Sequence, residues 1–463
     1  MVVIALSAFL ASAAFEPIGS WVLGVLGYSL FLRKVSHSKK PIWFSFTFGL
    51  ILNAIVLYWS GKYVGALPWL LLSLLQAIFY IPVGVVAKRW NSIWLTISSV
   101  LIMEELRSIF PFGGFGWTRI AFSQADSPAS AILPYGGVLA LSAFTLIFAA
   151  LLTRIKVGSI AKLLLILIGL LLLPENPQGS GSIKLLAIQG NTPSVGLNFN
   201  SRAQAVFNLH RDATYKFSDG KYDAIVWPEN AIDIDPVSNP SVAADIKKLT
   251  SELATPLITG VVQKSDGSPL NASVMYQPGG EVASTYIKRG LTPFGEFMPL
   301  RGIAEFVSPF AKSVVDFKAG EELITHSVSG NQIGPIICYE IINDGLVADM
   351  SAQSVGLIVQ TNSATFAGTA ESQQQLAITR VRAMEFSRSV MSVSTIGISA
   401  FIDSNGVVTS QTPENVQTYL SGDLPLNDHL TIANRWGVAI KFLIIAFFIA
   451  IGFRSVRRRS SYE

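Results

Sequence analysis

The stretch Gly334-Pro335-Ile336-Ile337-Cys338-Tyr339-Glu340 holds the single cysteine of the 463 residues. The apolar run before it reads as a short buried strand, and the run after it, Ile341 to Met350, as the start of a helix. A thiol at a strand-to-helix turn is carried on a rigid element with its sulfur turned outward, as a nucleophile must be. One cysteine cannot close a disulfide within the chain, so structural cross-linking is excluded. The alternative is an inert thiol packed as a small hydrophobe. Position alone leaves both readings open.

Outward from this stretch, apolar runs alternate with amphipathic ones. Strands are expected at Ile183–Gln189, Ala224–Trp227, Pro256–Val262, Ser273–Gln277, Ile333–Cys338, Val355–Gln360 and Met391–Thr395. Helices are expected at Arg202–Phe217, Val242–Leu253, Ile341–Ala352 and Ser372–Ser387. That pattern describes an α/β or α+β domain large enough for its own core.

The rest of the chain is of another kind. Half of all residues are hydrophobic and only 14% are charged, against about 25% charged in ordinary soluble domains. From Pro174 to Arg435 the net charge is −8, and the remainder carries +12 of the overall +4. The basic balance therefore belongs to the apolar part and does not argue for nucleic acid binding. Apolar runs that could span a bilayer lie near Val2–Phe15, Ile18–Leu32, Pro41–Trp59, Val64–Val86, Ile93–Ile109, Leu133–Leu152, Ile160–Leu173 and Trp436–Phe453. The first, second and seventh are short, and Glu16-Pro17 splits the first two into a hairpin. The first run could pass for a signal peptide, but it lacks a basic leader and reads as an uncleaved anchor.

Loop charges predict the orientation. Arg33, Lys34, Lys39 and Lys40, then Lys88 and Arg89, then Arg154, Lys156 and Lys162, and finally Arg454, Arg457, Arg458 and Arg459 follow alternate runs. The opposite loops hold Lys62, Arg107 and Arg119. The basic loops are expected in the cytoplasm, which puts the α/β domain outside. The expected boundaries are a membrane domain at 1–173, a soluble domain at 174–435 and a last span with a basic tail at 436–463.

Three strand ends in the soluble domain carry reactive residue types. Trp227-Pro228-Glu229 puts a carboxylate just past one strand. Lys288-Arg289-Gly290-Leu291-Thr292-Pro293-Phe294-Gly295-Glu296-Phe297-Met298-Pro299 follows another, and Cys338 ends a third. Taken singly, each has an ordinary reading as a cap, a turn or a surface charge. Together they meet a chemical need. A thiol must lose its proton to attack a carbonyl, and a buried carboxylate of raised pKa can take it. An ammonium can stabilise the oxyanion that follows. The four histidines are scattered and no HExxH or Cys/His cluster occurs, so no metal is expected. Phosphate-cradling glycine motifs are lacking too.

At these residues the chain resembles the nitrilase, or carbon–nitrogen hydrolase, superfamily, whose members use a Glu–Lys–Cys triad. The flanks, with Gln189-Gly190-Asn191, Arg382-Ala383-Met384-Glu385 with Arg388, and Gly397 to Asp403, resemble its apolipoprotein N-acyltransferase branch. The order of spans and domain is similar to that branch, and Phe112-Gly113-Gly114-Phe115-Gly116-Trp117 fits it. The resemblance implies about eight membrane spans and an extracytoplasmic α-β-β-α sandwich in a bacterial plasma membrane. It implies Glu229 as general base, Lys288 as oxyanion stabiliser and Cys338 as the residue acylated from a phospholipid. Glu296 would support Lys288, and Tyr339 and Glu340 would shape the pocket. The acceptor implied is the N-terminal amine of a diacylglyceryl-cysteine on a lipoprotein. Phospholipid, lipoprotein and bilayer are the partners, with no cofactor, no nucleic acid and a monomeric chain.

The chain departs from that branch at Ser363-Ala364-Thr365-Phe366, where Asp-Ala-Trp-Phe is usual, at Gln375, where histidine is frequent, and at Phe199 in place of a tryptophan. Phe112, Phe115 and Trp117 could line an acyl groove or serve as interfacial anchors. Phe294, Phe297, Met298, Phe306 and Phe310 could form a lipid-touching loop or pack in the core. Two other functions compete: a membrane-tethered amidase passing the acyl group to water, and a non-enzymatic membrane protein in which Glu104 and Glu105 mark a transport path.

Overall fold

The computed structural model describes every residue except 154–156, 175–176, 178, 197–203, 308–310, 313 and 461–463. The expectations placed on Phe199 and Phe310, and the loop charges Arg154 and Lys156, fall outside the described residues. The chain divides into two compact units, Met1–Asn176 with Thr431–Glu463, and Pro177–Leu430.

The first unit is helical. It comprises α1 (Val2–Ser12), α2 (Trp21–Ser36), α3 (Pro41–Val56), α4 (Ala66–Ile78), α5 (Ile81–Trp90), α6 (Ile93–Arg107), α7 (Leu133–Leu152) and α8 (Val157–Leu171). Prolines sit in the first turn of α3, α5 and α7, where a missing N–H removes no helical bond. Asn91 closes α5 in the left-handed region at φ 43°, and the Ser92 hydroxyl accepts from Leu95 N to open α6. Arg107 is buried and donates to Thr118 Oγ1 at 2.5 Å, Thr118 O at 2.6 Å and Glu104 Oε1 at 3.4 Å. Its polar partners keep the charge satisfied inside an apolar bundle.

The second unit starts with β1 (Ser182–Gln189), α9 (Ala205–Phe217), β2 (Ala224–Val226), α10 (Pro240–Leu253), β3 (Leu257–Ser265), β4 (Ser268–Tyr276) and β5 (Val282–Ile287). There follow α11 (Arg301–Val307), β6 (His326–Val328), β7 (Asn331–Ile337), α12 (Asp344–Ala352), β8 (Gly356–Thr361), α13 (Glu371–Phe386) and β9 (Val390–Ser394). Strands β10 (Ala400–Ile402), β11 (Val408–Gln411) and β12 (Thr418–Pro425) complete it. The chain then returns to the first unit as α14 (Ile432–Ser460).

Two six-stranded sheets result, in the orders β12-β1-β2-β3-β4-β5 and β11-β10-β9-β8-β7-β6. The pairs β1·β2, β2·β3, β7·β8 and β8·β9 are parallel, and the outer pairs are antiparallel. Strand periodicity fixes the layers. Ile183, Leu185 and Ala187 of β1 join Val226, Ile258 and Met275 against Ile333, Ile358, Met391 and Phe401 of the second sheet. The alternate residues Leu186 and Ile188 join Ile225 and Trp227 against Phe207 of α9 and Val242, Ile246 and Leu249 of α10. Helices α12 and α13 contact β7, β9 and β10. The unit is thus an α-β-β-α sandwich, with successive residues along a strand alternating between helix and facing sheet.

All eight apolar runs of the sequence are helical. Among the described residues, three helices are long and apolar enough to cross a bilayer: Ala66–Trp90, Pro128–Leu152 and Ile432–Arg458. Val2–Ser12, Pro41–Val56 and Val157–Leu171 are shorter apolar helices. One local expectation is corrected: no helix starts at Ile341. Residues Cys338–Ile342 form a tight 3₁₀ turn, and α12 begins at Asp344, capped by Asn343 Oδ1 on Leu346 N at 3.1 Å.

Candidate active site

Glu229 is delivered by an anchored strand end. The Trp227 N–H donates to Ile258 O and its carbonyl accepts from Gln360 Nε2 at 2.7 Å, while the indole donates to Thr214 Oγ1 at 2.9 Å. Gln360 belongs to β8, so this bond ties the second sheet to the end of β2. Behind Glu229, Gly260 N donates to Pro228 O. A side chain at Gly260 would bring a Cβ within 2.5 Å of Glu229 Cα, so only glycine lets β3 lie this close.

Lys288 follows β5 and is 1% exposed. Its Nζ lies 3.2 Å from Glu229 Oε1 and 2.8 Å from Glu296 Oε2. Asn271 of β4 joins the two carboxylates, donating through Nδ2 to Glu229 Oε1 at 2.8 Å and to Glu296 Oε1 at 2.7 Å. The Thr292 N–H also donates to Glu296 Oε2. Burial pushes the Glu229 carboxyl above its usual range against the pull of Lys288, with the Glu296 charge adding to the rise. Burial also works against ionised Glu296, but Lys288, Asn271 and the Thr292 N–H outweigh it and hold that carboxyl low. Lys288 loses solvation too, yet the Glu229 and Glu296 carboxylates keep its pKa above the ordinary lysine value. The cluster is therefore a fixed ammonium with one committed carboxylate and one that can exchange a proton.

Cys338 lies just past β7 with φ 49°, a left-handed conformation that a non-glycine residue adopts only where its surroundings hold it. Glu340 is part of what holds it. Its Oε1 accepts from Tyr286 Oη, Arg289 N and Gly290 N at 2.8, 2.8 and 3.0 Å, and its Oε2 from Ile337 N at 2.8 Å. One buried carboxylate thus clamps the lysine segment to the cysteine turn. Arg382 of α13 grips the same turn from below through Ile341 O, Ile342 O and Asp344, with Glu385 balancing its charge. Gln375 brings Nε2 to 3.9 Å from Sγ. Burial and the Glu229 charge push the thiol well up, and Lys288 opposes them. The resting sulfur is a thiol, so attack requires a base.

The structure thus brings Glu229, Lys288 and Glu296 into one bonded cluster whose charges act on Cys338. Tyr339 is half-buried with its phenol also under the influence of Lys288. Glu340 is wholly buried and bonded to three backbone N–H groups and the Tyr286 hydroxyl rather than to Lys288. Two residues escaped the sequence reading. Asn271 had at most a faint signal, lying two residues before the strand expected at Ser273–Gln277, and it falls within β4. Glu371, whose charge also acts on Cys338, had none, because an acid in a first helical turn is ordinary. Among the described residues, no group of three or more His, Cys, Asp or Glu could hold a metal ion.

Sequence profiles of two families match: the carbon–nitrogen hydrolase family over residues 186–432 and the apolipoprotein N-acyltransferase N-terminal domain over residues 7–151. The apolipoprotein N-acyltransferase of Mycolicibacterium smegmatis is 29% identical over 95% of this chain and 82% of its own length. That of Pseudomonas aeruginosa is 30% identical over 73% of this chain and 68% of its own. Among solved structures, a carbon–nitrogen hydrolase superfamily protein of Xanthomonas campestris aligns at 17% identity and TM-score 0.41, covering 53% of this chain and 91% of its own. An amidase from a Nesterenkonia species aligns at 15% and 0.42, covering 55% and 95%.

Proposed function

The chain belongs to the carbon–nitrogen hydrolase family, in its apolipoprotein N-acyltransferase branch, and from that premise we propose a two-step acyl transfer carried by Cys338, Glu229 and Lys288. The protein is an acyltransferase of lipoprotein maturation. The observation that carries the residue assignment is the buried Glu229–Lys288–Glu296 cluster set against the one thiol of the chain.

In the first step Glu229 takes the Sγ proton and the thiolate attacks the ester carbonyl of a phospholipid. Lys288 faces the developing oxyanion, where a fixed ammonium in a dry site acts most strongly. Collapse breaks the ester C–O bond, the proton on Glu229 passes to the leaving alkoxide, and a lysophospholipid departs from the thioester. In the second step the N-terminal amine of a diacylglyceryl-cysteine attacks the thioester carbonyl and the Cys338 thiolate leaves. Glu296, fixed by Asn271 and Thr292, holds Lys288 in place. Tyr339 borders the acyl carbonyl, and Glu340 keeps the turn closed.

Both substrates are lipids, and each CH₂ drawn into water costs about 0.8 kcal/mol. A site beside the bilayer avoids that loss. Phe294, Leu300, Ile303 and Phe306 are exposed on the catalytic unit, which supports a lipid-facing loop there. The proposed layout has a membrane domain at 1–173 with about seven spans, the catalytic domain at 174–435 on the outer face of a bacterial plasma membrane, and an eighth span at 436–463. The basic loops support that orientation. All three triad residues come from one chain, so a monomer suffices.

The experiment is product analysis with phospholipid and a diacylglyceryl lipopeptide. The N-acylated peptide is expected, and free fatty acid with no N-acyl peptide would make the chain a hydrolase.

A further inference from the structure

Building on the acyl-transfer reading above, we propose that Glu371 is a second catalytic base, which takes the first proton from the acceptor's ammonium before the acyl group leaves Cys338. The need for it follows from proton accounting. An N-terminal ammonium gives up two protons on becoming an amide. One must leave before attack, because a protonated nitrogen has no free electron pair. The second leaves as the N–C bond forms and the C–S bond breaks, and it ends on the departing Cys338 thiolate. Glu229 can carry that second proton from nitrogen to sulfur. It enters the step ionised and ends it ionised, so it has no capacity for the first.

The position of Glu371 suits the task. It opens α13 and is 2% exposed, as buried as Glu229 at 5%. One turn further along α13, Gln375 places its amide 3.9 Å from Sγ. Residues four apart share a helix face, so Glu371 stands on the face turned to the nucleophile, and its charge acts on both Cys338 and Glu229. The Ser372 hydroxyl donates to its Oε2 at 3.5 Å, and the Ser363 hydroxyl also bonds to it. The hydroxyls of Ser363, Ser372 and Ser394 converge on Gly397, where an added Cβ would lie 2.8, 2.5 and 2.7 Å from them. Two of these hydroxyls, those of Ser363 and Ser372, are the ones bonded to Glu371, so its surroundings are polar and closely packed. The titratable groups facing Glu371 from other elements are Cys338, Glu229 and Glu414 of the β11–β12 loop. Burial, opposed by the two serine hydroxyls, lifts its carboxyl to about 7, close to the value of about 8 for an α-amine.

The test uses the full-length protein in two half-reactions. Thioester formation from phospholipid is followed by intact mass, and transfer to a diacylglyceryl lipopeptide is followed from about pH 6 to 10. Glu371→Gln should still form the thioester, while transfer slows by about 100-fold near neutral pH. That deficit should shrink as pH passes the amine pKa and free amine becomes abundant. Glu371→Asp should recover part of the neutral-pH rate. A pH-independent deficit, a wild-type transfer profile, or equal loss of both half-reactions would overturn the proposal and leave Glu371 a structural residue. Absence of any thioester in the wild type would instead overturn the acyl-transfer reading beneath it.

Discussion

The two sheets of the catalytic unit contribute unequally to the site. The first supplies the charged groups at the ends of β2 and β5, and these are bonded to one another through Lys288 and Asn271. The second supplies the nucleophile at the end of β7, where the Gln375 amide approaches the sulfur at 3.9 Å. Its turn is held firmly by Glu340 and Arg382, yet its reactive atom is bound loosely. The difference separates two demands of catalysis. Groups that stabilise charge must be fixed before the reaction, whereas a nucleophile needs a fixed backbone and an uncommitted atom.

That contrast breaks first at Lys288. Lys288→Met should slow thioester formation by about 10³-fold, and the two buried carboxylates left facing each other should cost about 3–5 kcal/mol of stability in thermal or denaturant unfolding. A loss below about tenfold would mean that the first sheet does not supply the oxyanion partner. Glu229→Gln comes next, at about 10²–10³-fold on the same half-reaction. Glu229 must be ionised to accept the thiol proton, and its pKa is raised. Wild-type thioester formation should therefore rise with pH through a value above the ordinary carboxylate range, a limb absent from the variant.

On the second sheet the expected effects pass through the backbone. Glu340→Gln leaves an amide facing N–H donors that now point at a carboxylate. It should cost about 1–3 kcal/mol, and an added loss of thioester rate is expected as the Cys338 turn relaxes. Back on the first sheet, Asn271→Ala removes the shared donor of Glu229 and Glu296. About a tenfold slower first step is expected, with a net stability change near 1 kcal/mol. The smallest effect belongs to Gln375→Leu, within about threefold on thioester formation, because a contact to sulfur at 3.9 Å is weak. A large effect there would show the nucleophile to be as tightly held as the charges.

The legible part of the fold was its periodic part. The buried parallel strands β1, β2, β3, β7, β8 and β9 show as continuous apolar runs, and seven of the expected strands are present within a few residues. The edge strands β5, β6, β11 and β12, with the three-residue β10, are not among the expected strands, since they are short or half-exposed and carry no clear pattern. The cysteine turn was foreseen but its form was not: a 3₁₀ turn and a fresh Asn343 cap replace the continuous helix. At the site, residues that end strands could be picked from the sequence because their flanks are distinctive. Asn271 and Glu371 could not, because their partners are distant in the chain and only the sandwich brings them together.

The most direct test of the central claim is the intact mass of the purified full-length chain after incubation with phospholipid. One fatty acyl adduct is predicted on the wild type, mapping to Cys338, labile to hydroxylamine and lost in Cys338→Ala. An adduct of equal yield in Cys338→Ala would contradict the account.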